Sequence, residues 1–189
     1  EGGPAATHPL SDLGARQDAP VPGTSKVGIA ARLVEEVNPE VSTDPIQETL
    51  LSNSAFTAIK DSGIVFGCFD DDGPRAVLNE LCAAYEKPYF DLASDITSGQ
   101  SYGGRVCSLV DGHACLLCLG EIDTAAVTKF IESDAQRDAR DRIYGVDRSV
   151  LDDKGPSVSP INGVVASLAA TEFMVFATGM RPPKRLINY

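Results

Sequence analysis

Three consecutive aspartates, Asp70, Asp71 and Asp72, are the side chains of this sequence best placed to do chemistry. They follow a short apolar run, 64–66, that predicts a buried strand, and they precede a segment, 76–85, that predicts a helix. In open α/β sheets ligands bind at such carboxyl ends of strands, because helix N-termini there carry free N–H groups and a positive dipole end. Carboxylates at this edge indicate a bound cation that bridges them to phosphate. A solvated acidic turn is the alternative, since Asp and Gly are common turn residues.

Lys26 is a second candidate for contact with phosphate, because it stands where the first clear helix begins. It follows a Gly-Thr-Ser turn, and the apolar positions after it recur at three- and four-residue steps up to an Asn-Pro pair at 38–39. A cation in this position can reach phosphate oxygens, with nearby backbone N–H groups as further donors. A solvated surface lysine is the alternative.

Cys115 and Cys118 form a Cys-x-x-Cys pair, the spacing of half of a four-thiolate zinc site. Cys107 and His113 lie near enough in sequence to supply further ligands. An empty site, a pair of buried thiols and a redox couple are the alternatives. The chain has five cysteines and no export signal, which disfavours a framework of disulfides.

The composition limits the classes of protein that this chain can belong to. Its 189 residues and 43% hydrophobic content suffice for one domain with a full core. The net charge of −11 argues against a nucleic-acid binder, which would need a basic stripe. We find no apolar signal-peptide core and no uninterrupted apolar run of membrane-spanning length, and we therefore expect a cytoplasmic protein that does not bind a membrane.

The segments that must position these residues alternate between helix and strand. Residues 1–22 are rich in Gly, Pro, Ala and Asp and predict an irregular N-terminal arm ahead of one ordered domain, 23–189. Within that domain the alternation predicts an α/β fold with a mainly parallel sheet. The predicted strands are 41–46, 64–69 and 89–92, and the predicted helices after the one at Lys26 are 53–60 and 76–85.

The pattern changes after Leu92. Residues 103–110 alternate weakly and then turn at an Asp-Gly pair, which predicts an antiparallel strand and a mixed sheet. The segment 123–144 begins as a helix. Residues 163–177 are nearly all apolar and predict a helix buried in a core or an interface, too short and too charged to span a bilayer.

Several motifs occur in a characteristic order along the chain. They are Gly-x-x-Lys opening a helix that ends in Asn-Pro, Asp-x-x-x-x-Arg-x-x-Leu-Asn after a strand, Gly-Gly-Arg-Val, Cys-x-x-Cys, and Ser-Pro-Ile-Asn-Gly before the apolar helix. This ordered set resembles the ThiF/MoeB/HesA family of ubiquitin-activating-enzyme-like adenylyltransferases, over residues 23–179. The resemblance implies a Rossmann-like, mainly parallel sheet that continues into a mixed sheet, with helices on both faces.

The resemblance also implies roles for particular residues. Asp70, five residues before Arg75, matches the aspartate that holds Mg²⁺ at the phosphates of ATP. Lys26 matches the catalytic lysine that contacts those phosphates, and Arg75 and Asn79 belong to the same nucleotide-binding motif. Arg16 is matched to a catalytic arginine of an Asn-Leu-x-Arg-Gln motif, with a spacing that differs by one residue. Asp71 and Asp72 have no counterpart in the family.

The function implied is adenylation, in which Mg-ATP activates the C-terminal carboxylate of a ubiquitin-like or sulfur-carrier protein. A homodimer and a structural zinc ion at Cys115 and Cys118 are implied as well, although the family's second Cys-x-x-Cys pair does not occur in this sequence. The Gly-x-Gly-x-x-Gly turn of the family's first βαβ unit is also missing. We therefore expect either a fragment of a longer protein or a degenerate nucleotide site.

Two other functions are compatible with the sequence. A catalytically silent scaffold or dimerisation partner would explain the missing glycine turn, whereas the presence of Lys26, Asp70 and Arg75 disfavours it. A nicotinamide-dependent oxidoreductase would need a dinucleotide fingerprint that the sequence does not contain.

Overall fold

A computed structural model of the protein describes residues 25–97, 101–132 and 159–189. Contacts divide the chain into two units, Glu1–Thr57 and Ala58–Tyr189, each compact by itself. The predicted N-terminal arm, 1–22, lies outside the described residues, and so does most of the segment 123–144.

In the described part of the first unit, helix α1 (Lys26–Val37) begins where the sequence predicts. The Ser25 hydroxyl oxygen accepts a hydrogen bond from the Gly28 N–H at 3.1 Å and so satisfies one of the unpaired donors of the first turn. Helix α2 (Asn53–Asp61) begins in this unit too, and the Ser52 hydroxyl accepts the Ala55 N–H at 3.2 Å.

The prediction of a strand at 41–46 is wrong, because this segment has no regular secondary structure. The chain turns immediately before it, where Val41 N–H donates to the Asn38 carbonyl at 3.1 Å. Pro45 lacks an N–H group and cannot donate to a ladder, and the residues from 41 to 45 are exposed. The segment therefore forms no strand, because apolar residues stand only at its two ends and the residues between them are polar or proline.

The second unit is built on a mixed four-stranded sheet whose order is β1-β2-β3-β4. The strands are β1 (Val65–Gly67), β2 (Tyr89–Thr97), β3 (Ser101–Leu109) and β4 (Leu186–Asn188). β1 pairs with β2 in parallel, while the β2–β3 and β3–β4 pairs are antiparallel. The α/β class and the change to antiparallel pairing after Leu92 are confirmed.

Helices of this unit lie on both faces of the sheet. They are α3 (Asp72–Ala84), α4 (Leu116–Leu119), α5 (Thr124–Ile131) and α6 (Ser159–Thr178). Because side chains alternate along a strand, β2 presents Asp91 to α3 and Phe90 to α6. The ring centroid of Phe90 lies 6.0 Å from that of Phe176 and 6.1 Å from that of Phe173, so aromatic edge contacts join β2 to α6.

Helix α6 packs against β2 and β3 through one buried face. That face consists of Ile161, Val165, Ala169, Glu172 and Val175, at three- and four-residue spacing. Gly104 of β3 permits the close approach, because a Cβ atom there would meet Val165 and would come within 2.6 Å of the Ala93 carbonyl oxygen. Gly104 of the Gly-Gly-Arg-Val motif therefore allows α6 to pack closely on the sheet.

By length and composition alone, α6 is the one helix among the described residues that could cross a membrane. At 20 residues it is longer than the segment predicted from the sequence, so the expectation that it is too short for a bilayer is wrong. One face of α6 packs on β2 and β3, and its opposite face, which includes Met174, is exposed.

Strand β4 was not predicted from the sequence, and an ion pair between a buried carboxylate and an exposed arginine holds the turn that leads into it. Glu172 of α6 is almost completely buried, and its carboxylate pairs with Arg181 at 2.7 Å and accepts the Lys184 N–H at 2.8 Å. The chain then returns along β3, where Tyr189 N–H donates to the Gly104 carbonyl at 2.9 Å.

Candidate functional site

The three aspartates that follow β1 have different environments. Asp71 caps α3, since its Oδ1 accepts the Gly73 N–H at 2.7 Å. Asp72 lies in the first turn, where it pairs with Arg75 and accepts the Asp123 N–H at 2.8 Å. Asp70 is exposed at the carboxyl end of β1. Asp71 and Asp72 therefore hold α3 and the start of α5 in place, and Asp70 stays the predicted ligand for a cation.

Arg75 lies beneath this loop and is 5% exposed. Its Nη2 donates to the Phe69 carbonyl at 2.5 Å, its Nη1 bonds Asp72, and its Nε donates to Asp91 at 3.1 Å. Burial lowers the pKa of Arg75, but the Asp91 and Asp72 carboxylates outweigh burial and raise this pKa above its ordinary value. The guanidinium thus links the residue before Asp70 to both α3 and β2.

Asp91 is the centre of a buried network that sequence reasoning missed. Its side chain is fully buried, and it accepts hydrogen bonds from Arg75, from the Tyr89 hydroxyl at 2.7 Å and from Arg105 Nη1 at 3.0 Å. Burial raises the pKa of the Asp91 carboxyl, while the two arginines and Tyr89 act in the opposite direction. Arg105 extends the network, because its Nε pairs with Glu121 at 2.8 Å.

One sequence signal could have indicated this network. Asp91 stands between Phe90 and Leu92 in a predicted strand, a position where a charge needs a buried partner. Arg105, in the Gly-Gly-Arg-Val motif, is one such partner on the neighbouring strand, and the β2–β3 register sets Asp91 beside Cys107, two residues further on. The pairing nevertheless depends on a register that the sequence does not state.

Asn79 lies on α3 and is 3% exposed. Its Oδ1 accepts the Leu116 N–H at 2.9 Å, which ties α3 to the beginning of α4. Leu116 is itself fully buried. The structure therefore places two predicted nucleotide-binding residues, Arg75 and Asn79, in bonds that hold the unit together.

Cys115 and Cys118 lie close together at the ends of the first turn of α4. Their Sγ atoms are 3.1 Å apart, and Cys115 Sγ accepts the Cys118 N–H at 3.4 Å. Burial raises the pKa of the Cys115 thiol, but hydrogen bonds with Cys118, Leu117 and Asn79 outweigh burial and bring that pKa below its ordinary value.

The described residues supply half of a zinc site. Within 25–97, 101–132 and 159–189, no group of three or more His, Cys, Asp or Glu side chains is arranged to hold a metal ion. Cys107 is fully buried, and burial raises the pKa of its thiol to about 12. His113 is exposed on the neighbouring loop. A structural zinc site needs four ligands, so the ion at Cys115 and Cys118 stays a prediction.

A cavity of about 610 Å³ adjoins the cysteine pair. It lies between the C-terminal end of α3 and the loop after β3, and its lining includes Cys115, Cys118, His113, Lys87 and Glu86. This is the end of α3 opposite to Asp70. The cavity is therefore separate from the carboxyl edge where the sequence predicts a nucleotide.

The two remaining predicted site residues belong to the first unit. Lys26 is exposed in the first turn of α1. Arg16 lies outside the described residues. The catalytic, nucleotide-binding and metal-binding roles assigned to Lys26, Asp70, Arg16, Arg75 and Asn79 stay predictions.

Comparison with known proteins identifies the family. The model of the ThiF family matches residues 14–189. Protein HesA of Leptolyngbya boryana is 26% identical over 98 residues, which are 51% of this chain and 34% of that protein. Protein HesA, vegetative, of Trichormus variabilis is 24% identical over 162 residues, 85% of this chain and 50% of that protein. The chain thus spans half or less of these relatives, and the extent of the family match shows that it belongs to the ThiF family.

Proposed function

We propose that this chain forms part of an ATP-dependent adenylation site that activates the C-terminal carboxylate of a ubiquitin-like or sulfur-carrier protein. ThiF-family membership indicates the superfamily of ubiquitin-activating-enzyme-like adenylyltransferases. The observation that carries the proposal is the environment of Asp70, a carboxylate exposed at the carboxyl end of β1 and directly before the capped N-terminus of α3. Ligands of α/β sheets bind at this kind of position.

Asp70 and Lys26 are both exposed, and a carboxylate and an ammonium group are the kinds of group that bind Mg²⁺ and phosphate. Mg²⁺ takes oxygen ligands and commonly uses one or two carboxylates together with substrate phosphates, so Asp70 is the residue that would hold it. Lys26 would contact the phosphates as a point charge. When bound, Mg²⁺ neutralises negative charge on the phosphate oxygens. Arg75 contributes as a positioning residue, because its bond to the Phe69 carbonyl holds the chain just before Asp70.

The proposed reaction needs no nucleophile from the protein. A substrate carboxylate oxygen attacks the α-phosphorus of ATP, the bond to the bridging oxygen breaks, and pyrophosphate leaves with the electron pair. Such a reaction is accelerated mainly by positioning and by electrostatic stabilisation of the developing charge. The roles of Asp70 and Lys26 are therefore electrostatic.

ATP–pyrophosphate exchange, measured with candidate carrier proteins, tests the proposal. Because the chain spans half or less of its relatives, the assay is run on this chain and on a longer natural version. We expect Asp70→Asn to reduce exchange by about 100-fold or more, the usual effect of removing one electrostatic contact to a transition state. Asp71→Ser, which keeps a helix-capping hydroxyl, is the matched control and should retain exchange. Exchange that survives Asp70→Asn would contradict the magnesium role.

A catalytically silent scaffold is the second candidate, and one observation favours it. Arg75 and Asn79 are buried and bonded within the unit, so two of the predicted nucleotide contacts serve the fold. The exposed face of α6 would then cover a second copy in a homodimer. The scaffold predicts no exchange by the longer protein with any carrier, together with a dimer in sedimentation equilibrium.

A further inference from the structure

The loop that carries Asp70 is held on both sides by one side chain, Arg75 of α3. On one side Arg75 Nη2 donates to the Phe69 carbonyl at 2.5 Å, and on the other side Arg75 Nη1 pairs with the Asp72 carboxylate. Both contacts come from one guanidinium, whose N–H donors form a planar fork of fixed geometry. The direction of this fork therefore determines where the chain lies from 69 to 72, Asp70 included.

Asp91 of β2 fixes the direction of the fork. Its Oδ1 accepts a hydrogen bond from Arg75 Nε at 3.1 Å, at the base of the fork, and another from the Tyr89 hydroxyl at 2.7 Å. Its Oδ2 accepts one from Arg105 Nη1 at 3.0 Å. Both carboxylate oxygens are thus bonded, and the side chain is fully buried on a strand that is paired on both sides. The carboxylate is therefore a rigid anchor for Arg75.

Tyr89 connects the end of β1 to the same anchor. Gly67, the last residue of β1, stands opposite Asp91 in the strand register, and a Cβ atom there would come within 2.5 Å of the Tyr89 hydroxyl oxygen. Glycine therefore leaves room for the ring, whose hydroxyl reaches Asp91 Oδ1. The segment 67–72 is thus located at its beginning by Tyr89 and at its end by Arg75, and both side chains bond the same oxygen atom.

Stability alone is a weak reason for a carboxylate at this position. Asp91 stands between Phe90 and Leu92, and a buried ion pair is often no more stabilising than well-packed apolar side chains of similar volume. A buried carboxylate does supply directed bonds to the groups around it. Metal ligands need such supporting bonds behind them, because these bonds fix the position of the ligand.

We propose that Asp91 is a positioning residue that sets the place of the Asp70 carboxylate through Arg75 and Tyr89. This inference rests on the proposed function, in which Asp70 is the residue that would hold Mg²⁺. Asp91 is fully buried and acts only through its neighbours. Loss of its charge should therefore weaken the binding of Mg²⁺ without abolishing it, because Asp70 is still present.

Backbone relaxation, measured by nuclear magnetic resonance on this chain without nucleotide, tests the positioning itself. In wild type the amides of residues 69–71 should have order parameters of about 0.85, the value of a rigid backbone. Asp91→Asn keeps the size of the side chain and removes its charge, and it should lower these order parameters to about 0.6 or less. Tyr89→Phe keeps the ring against Gly67 and removes only the hydroxyl, so we expect a smaller decrease in the same direction.

ATP–pyrophosphate exchange by the longer natural version, measured against Mg²⁺ concentration, tests the consequence for the site. Asp91→Asn should raise the Mg²⁺ concentration that gives half-maximal exchange by about 10-fold or more, the usual effect of removing a group that supports a metal ligand. Excess Mg²⁺ should restore most of the exchange rate. A variant that was merely less stable would not show this recovery together with an unchanged maximal rate.

Glu172→Gln is the matched control for both measurements. Glu172 is the other buried carboxylate among the described residues, and it lies on α6, across the sheet from Asp91. Its replacement should leave the order parameters of residues 69–71 and the half-saturating Mg²⁺ concentration at their wild-type values.

The proposal is overturned if residues 69–71 are already disordered in wild type, or if they are as ordered in Asp91→Asn and Tyr89→Phe as in wild type. Equal disorder in Glu172→Gln would also overturn it, as would reduced exchange by Asp91→Asn at an unchanged half-saturating Mg²⁺ concentration. If Asp91→Asn fails to fold, Tyr89→Phe decides by the same measurements. A longer wild-type protein without exchange activity would contradict adenylation, whereas the order parameters would still decide whether Asp91 fixes the loop.

Discussion

Asp91 accepts a hydrogen bond from Arg75 Nε at 3.1 Å, although the Asp91 side chain is fully buried and only 6% of the Arg75 side chain is exposed. This bond joins β2 to α3 beneath the loop that carries Asp70. A buried charge is tolerated only when it is paired and hydrogen-bonded, and Asp91 meets that condition through Arg75, Arg105 and Tyr89. The loop after β1 is therefore held by the network of ion pairs and hydrogen bonds around Asp91.

The first prediction concerns this buried pair. Asp91→Ala should lower the free energy of unfolding by about 3–5 kcal/mol, because it leaves the buried Arg75 and the partly buried Arg105 without their shared partner. Urea denaturation measures the change. Arg185→Ala is the matched control: it breaks the exposed pair with Asp111, which should cost less than about 1 kcal/mol. Equal losses in the two variants would contradict the central role of Asp91.

The second prediction separates neighbouring aspartates. Asp71→Ala should lower the free energy of unfolding by about 1 kcal/mol, because the first turn of α3 loses its cap. Asp71→Ser restores an oxygen acceptor and should recover most of that loss in the same denaturation experiment. A serine variant as unstable as the alanine variant would show that capping is not what Asp71 contributes.

The third prediction concerns two helical glycines. A Cβ atom at Gly73 would overlap Phe130 of α5, so Gly73→Ala should destabilise the protein by about 1–3 kcal/mol. Gly163 of α6 has open space around the same position, and Gly163→Ala should stabilise by about 0.5–1 kcal/mol because alanine favours helix. Thermal unfolding of both variants provides the comparison. Stabilisation by Gly73→Ala would show that α5 does not pack there.

The fourth prediction is a pH dependence. The hydrogen bonds from Arg181 lower the pKa of Glu172 below its ordinary value of 4.5, burial opposing this, and the Lys184 N–H lowers it further. A carboxyl whose folded-state pKa is lowered contributes stability above its unfolded pKa and loses that contribution as pH falls through the folded pKa. Wild type should therefore be more stable than Glu172→Gln at neutral pH, and the difference should shrink as the pH falls below 4.5.

Denaturation curves recorded from neutral to acidic pH would measure that difference. Glu80→Gln, at an exposed position of α3, is the matched control and should follow wild type across the range. A stability difference between wild type and Glu172→Gln that does not change with pH would mean that Glu172 contributes by packing rather than by its charge.

Local patterns predicted most of the regular elements correctly. Helices α1, α2 and α3 and strands β1 to β3 were expected from apolar spacing and from capping residues such as Ser25, which act over one or two turns. The segment 41–46 was misread because its apolar residues flank Asp44 and Pro45. Strand β4 was missed because it is three residues long and depends on pairing with β3, far away in sequence.

The candidate site, like the fold, was predicted from the sequence only in part. The sequence by itself determined that carboxylates follow β1, that Asp70 and Arg75 have the spacing of the ThiF motif, and that two cysteines share one turn, because these features depend only on order and spacing. Only the tertiary structure decided that Asp71 and Asp72 hold helices, that Arg75 and Asn79 point inward, and that Asp91 joins two arginines. Those bonds link residues up to 51 positions apart, and their partners are set by strand register and helix packing, which act across the whole unit.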